Sequence, residues 1–157
     1  MKNEKIIEVL NDLMKIHQDR MEGYENAAET TENLDDAIKT MLFDKSEKSE
    51  ALKRDLSKKA LEFGSILTQD VVPTGKIYRS WIQIDAAFTG HDTFSILAAC
   101  EYGEDATQYA YRTALKMGND FPADVRQLII TQQSSLKLDH DEIKSERDAY
   151  KNKMVNH

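Results

Sequence analysis

Apolar residues return every three to four positions along nearly the whole chain, a period that admits little besides amphipathic helices packed on one another. Ile6, Leu10, Leu13, Tyr24 and Ala27 share one face, which predicts a helix from about Asn3 to Glu29. Asn33 then offers an N-cap, and the charges of Asp35 and Asp36 suit a helix start. The second helix turns Leu34, Ile38, Met41, Leu52, Leu56 and Phe63 inward and stops at Gly64. Asp92 caps a third helix that reaches Met117, where Gly118 and Asn119 break it. Pro122 and Asp124 open a fourth, carried to about Asn152 by Val125, Ile129, Leu136, Ile143 and Tyr150. The terminal "KMVNH" is expected to fray, and no stretch carries a strand pattern.

Between the second and third helices, "SILTQDVVPTG" has no helical period, and Val71-Val72-Pro73 favours extended backbone. A shorter helix is expected from Lys76 to Thr89, with Ile77, Trp81, Ile84 and Phe88 as its buried stripe. The connection from Ser65 to Thr89 is long enough to travel the length of a bundle. The expected fold is therefore all-α, one domain over 1–157: an up-down, crossover, down-up four-helix bundle of the ferritin-like type. A chain of 157 residues is long enough to bury a core.

Composition limits what such a bundle does. A net charge of −7 argues against nucleic acid or an anionic membrane as partner. No run of about 18 apolar residues is present, and the amino-terminal stretch has no signal-peptide core. The single cysteine, Cys100, fits a reducing cytosol and reads as a small buried hydrophobe. No P-loop, dinucleotide fingerprint or Ser-His-Asp order is present, so no small-molecule substrate is identifiable.

The remaining signal is polar residues on apolar faces. "ACEYGEDA", residues 99–106, places Glu101 and Glu104 on the arc of Leu97, Gln108, Tyr111 and Leu115. His140 falls between Leu136 and Ile143, and Arg20, His17, Lys45, Ser49 and Arg147 also project inward. A di-iron centre needs an inward Glu from each of two helices and Glu-x-x-His from the other two. Here Glu22, Glu25, Glu47 and Glu50 project outward, and Lys137 stands three residues before His140. The expectation is a charge-compensated interior built from Arg20, Lys45, Glu101, Glu104, His140 and Arg147, with Arg20 paired to Glu104 and Glu101 near His140 or Arg147. A mononuclear metal site of Glu101, Glu104 and His140 is the alternative.

Gly23 and Gly103 interrupt the first and third helices, either for close helix approach or as tolerated surface glycines. A second stripe on the third helix, Ser95, Ala99, Tyr102, Ala106, Tyr109 and Thr113, suits cover by the crossover helix or a homodimer contact.

The stretches "LNDLMKIHQDRMEGYENAAE", "GKIYRSWIQIDAAFTGHD", "LAACEYGEDATQYAYRTAL" and "HDEIKSERD" resemble, in this order, the bacterial ferritin-like family catalogued as domain of unknown function 2383. The resemblance implies a fold more than an activity. The function expected is a cytoplasmic, non-catalytic structural or protein-interaction module with no cofactor. Fold analogy alone suggests the alternative, binding of iron or another divalent metal, or oxidative-stress protection.

Overall fold

The structure, a computed structural model, describes residues 2–31, 34–66 and 92–155. The described residues form four helices and no strand: α1 (Lys2–Thr30), α2 (Asp36–Glu62), α3 (Thr93–Met117) and α4 (Ala123–Val155). No helix among them is long and apolar enough to cross a membrane. The short helix expected over Lys76 to Thr89, with Trp81, lies outside the described residues, as does Asn33.

Local chemistry sets the helix ends. α2 begins at Asp36, two residues later than the apolar pattern suggests, with Asp35 in the N-cap position. The Asp35 carboxylate does not cap; it accepts a hydrogen bond from the Tyr150 hydroxyl at 2.5 Å. At the other end, Ser65 N–H bonds to Ala60 O at 3.0 Å and Gly64 N–H to Leu61 O at 3.1 Å. That paired closure needs a left-handed residue, and Gly64 supplies it with φ of +98°. α3 starts where Asp92 Oδ1 accepts from Ser95 N–H at 2.7 Å, a true N-cap.

α4 runs three residues past the expected Asn152. Tyr150 is held on Asp35, and Lys153 lies 4.7 Å from the Tyr150 ring centre, so side-chain contacts extend the last turns beyond what the apolar stripe marks. The Tyr150 hydroxyl is pushed up to about 12, first by its bond to Asp35.

The α3–α4 turn is closely packed. Gly118 N–H bonds to Ala114 O at 2.9 Å, and Arg126 Nη1 reaches Leu115 O and Gly118 O, meeting the negative end of α3. A Cβ on Gly118 would stand 2.4 Å from the buried Phe121 ring. Gly118→Ala is expected to lower the unfolding free energy by about 1–3 kcal/mol through overpacking, read as a shifted urea midpoint. An unchanged midpoint would show that Phe121 repacks freely.

α1 packs on α2 and α3 on α4 as two helical hairpins; the hairpins meet α1 to α3 and α2 to α4. Among the described residues the apolar core is in two pieces. One gathers the start of α1 (Ile6, Leu10, Leu13), the end of α2 (Leu56), the end of α3 (Tyr111, Ala114) and the start of α4 (Val125, Ile129). The other gathers Tyr24 and Ala27, Leu42, Ile96 and Cys100, and Ile143 from the opposite ends. Every facing pair is thus antiparallel. α2 ends where α1 begins, and α3 begins where α1 ends.

Gly23 and Gly103 are both buried, which removes the surface-glycine reading. On the second stripe of α3, Ala99 is buried, whereas Tyr102 and Tyr109 are 59% and 46% exposed.

Candidate functional site: a charged layer inside the bundle

Between the two apolar clusters lies a layer of charge. Its centre is Arg20 on α1, with 0% of its surface exposed. A buried guanidinium has five N–H groups to satisfy, and here each has an acceptor. Nε donates to Glu104 Oε1 at 2.6 Å, and Nη2 donates to Glu104 Oε2 at 3.2 Å and Asp139 Oδ2 at 2.8 Å. Nη1 donates to Ser49 Oγ at 2.7 Å and to the Lys45 carbonyl at 3.4 Å. The acceptors come from α2, α3 and α4, so one side chain ties all four helices. Burial alone would lower the basicity of Arg20, but Glu104 and Asp139 outweigh it and raise its pKa.

The layer continues toward α4. Lys45 Nζ lies 3.2 Å from Asp139 Oδ1 and 2.8 Å from Glu142 Oε1, and Lys48 Nζ lies 3.0 Å from Asp139 Oδ2. Burial pushes the Asp139 carboxyl up; Arg20, Lys45 and Lys48 more than reverse this and hold it below the usual carboxylate range. Three cations thus face three carboxylates, Glu104, Asp139 and Glu142. A cleft of about 350 Å³ between α2 and α4, lined by Thr40, Met41, Asp44 and Lys48, opens onto Lys45 and Asp139.

A neutral chain runs from the same arginine the other way. Gln132 Nε2 donates to the Leu52 carbonyl at 3.1 Å, so its Oε1 accepts from the Tyr111 hydroxyl at 2.6 Å. Tyr111 has spent its proton and must accept from His17 Nε2–H at 2.7 Å. His17 Nδ1 is then the acceptor of the Ser49 hydroxyl at 3.2 Å, and Ser49 Oγ accepts from Arg20. This donor order requires a neutral His17. Burial, with Arg20, Lys53 and Lys48 nearby, lowers its pKa from 6.5 to about 3. Burial likewise pushes the Tyr111 hydroxyl and the Cys100 thiol well up. At neutral pH the Tyr111 hydroxyl and the Cys100 thiol therefore keep their protons, and His17 is neutral with its lone pair engaged by Ser49.

Two further expected residues sit at the rim. Arg147 Nη1 contacts Glu101 Oε2, with Nη2 on Asp148 at 2.8 Å. His140 is half-buried rather than central: Nε2 meets Asp105 Oδ1 at 2.6 Å and Nδ1 meets Asp141 Oδ1 at 3.1 Å. Burial disfavours its charged form, but the two aspartates raise its pKa above the usual value. The trio Glu101, Glu104 and His140 is therefore not brought together. Glu104 faces Arg20, and the residue that joins Glu101 and His140 is Asp105.

Asp139 and Asp105, with Glu142, Lys48 and Gln132, are site residues that the sequence pattern alone does not mark. Asp139 lies three residues after Leu136 and four before Ile143, inside the same arc that drew attention to His140. The signal was there: pairing Arg20 with Glu104 and Glu101 with His140 or Arg147 leaves the inward Lys45 without an anion. Gln132 shows the same i+3 and i−4 spacing from Ile129 and Leu136.

Residues 5–117 match the family described as "Domain of unknown function (DUF2383)". No curated protein matches the chain.

Proposed function

The chain belongs to that family, whose description assigns no activity, and from this premise we propose that it is a ferritin-like, non-catalytic module of the bacterial cytosol that serves as a structural or protein-interaction element. The ferritin-like order is supported by the helix directions: α2 leaves the bundle at one end and α3 enters at the other. The observation that carries the non-catalytic reading is Arg20. A di-metal bundle gathers inward carboxylates to neutralise two cations, whereas here Glu104 and Asp139 are committed to a fully buried guanidinium. A free, buried Cys100 supports a reducing compartment.

Aerobic titration with ferrous iron, followed by absorbance, tests the reading. The expected result is no stoichiometric ferric product beyond the buffer blank. Stoichiometric oxidation that is lost in Glu101→Ala would overturn it. Light scattering over a concentration series reads whether the partner is a second copy; a mass of 18.0 kDa throughout assigns the role to another protein.

A further inference from the structure

We infer that Glu101, Asp105 and His140 form a binding site for one divalent transition cation of the zinc class at the seam between α3 and α4. Glu101 and Asp105 are four residues apart on α3, one turn above the other, and His140 faces them from α4. One ligand atom from each lies within 4.8 Å of the others. Donors about 2.1 Å from a tetrahedral zinc stand about 3.4 Å apart, so rotamer adjustments of about an ångström close the set.

The imidazole is already oriented toward the acids of α3. Its Nδ1 is engaged by Asp141, which belongs to α4 and stands outside the donor trio, and Lys137 Nζ holds Asp141 in turn at 3.1 Å. A carboxylate on one ring nitrogen fixes the tautomer and directs the other nitrogen's lone pair to a metal. That other nitrogen, Nε2, is aimed at Asp105. The proton shared between Nε2 and Asp105 is what the cation replaces.

Charge and access agree with this. Two carboxylates offset a divalent charge, and one imidazole with carboxylates suits zinc, cobalt or manganese more than calcium. Asp105 is 62% exposed, which gives the ion a path from solvent. Arg147 is the competitor on the site. It engages Oε2 of Glu101, leaving Oε1 as a donor, and its other nitrogens are held by Asp148. The site lies outside the Arg20 layer and does not depend on the module reading above. Zinc uptake without iron oxidation leaves that reading intact.

The test is calorimetric titration of the full chain, stripped with chelator, with zinc chloride alone at neutral pH. One ion per chain is expected, with affinity falling in His140→Ala and in Asp105→Asn by at least about tenfold, the loss that removing even an outer-shell partner brings. The thermal midpoint should rise with zinc in the native chain and rise less, at the same zinc concentration, in both variants. Asp44→Asn, an exposed acid elsewhere, should bind as the native chain does. Asp105→Asn is nearly isosteric, and circular dichroism checks the fold of both variants. Absence of uptake by the native chain would overturn the proposal, as would uptake that both variants retain.

Discussion

Arg20→Met is expected to lower the unfolding free energy by about 3–5 kcal/mol, because it strands Glu104 in a dry interior. The buried carboxylate then either keeps its charge without a partner or takes up a proton, and Ser49 and the Lys45 carbonyl lose a donor. Arg20→Lys should recover little. An ammonium carries three donors on a point charge and cannot reproduce a planar five-donor fork. The double variant Arg20→Met with Glu104→Leu should cost less than the sum of the single changes by at least about 1 kcal/mol, since it removes charge and counter-charge together. Lys137→Ala, at an exposed pair with Asp141, sets the baseline within about 0.5 kcal/mol. Equilibrium urea unfolding measures these variants together with Glu104→Leu alone. A loss in Arg20→Met no larger than in Lys137→Ala would show that the layer is not desolvated.

Acid is expected to unfold the protein through His17 before most carboxylates titrate. Its folded pKa of about 3 lies below the value of 6.5 of the free side chain, so across that window the unfolded chain binds the extra proton. Stability is complete above 6.5 and is lost as pH falls through the window, by as much as about 1.4 kcal/mol per pH unit and roughly 4–5 kcal/mol in all. Protonation would give His17 two donors and leave the Ser49 hydroxyl without its acceptor, beside a permanent cation. Asp139 acts in the same direction at lower pH. Its depressed carboxyl contributes stability above 3.8 that is lost as pH falls through the folded value. His140 has the opposite sign: its raised pKa contributes stability below 6.5 that is lost as pH climbs through the folded value. A maximum near neutrality follows. His17→Asn should start from lower stability at neutral pH and decline less steeply on acidification. A slope equal to that of the native chain would assign acid unfolding to other groups.

Period and face were legible in the sequence because helix geometry converts spacing directly into direction. Arg20, Glu104 and Lys45 were placed inward on that basis, and Glu22, Glu25, Glu47 and Glu50 outward; all four of these acids are exposed. Projection failed where two neighbours straddle the edge of an arc. Asp139 and His140 differ by 100° on an ideal wheel centred between Leu136 and Ile143, and only packing against α2 decides which one is buried. The start of α2 is hidden for another reason. Its acids suit a helix dipole wherever they stand, but Asp35 is claimed by Tyr150, 115 residues away, which no local rule reveals. The chain from His17 to Leu52 was equally hidden, because its direction depends on where one glutamine amide points.

The way Arg20 is shared bears on how the bundle assembles. The α1–α2 hairpin alone offers acceptors only for Nη1, from Ser49 and Lys45; Nε and Nη2 wait for Glu104 on α3 and Asp139 on α4. Until both arrive, water is the cheaper partner, and the middle of the hairpin has reason to stay wet. Closing either apolar half-core therefore gains little unless the whole layer closes with it. The two half-cores are coupled through a single side chain, and they are expected to form and melt together rather than in turn.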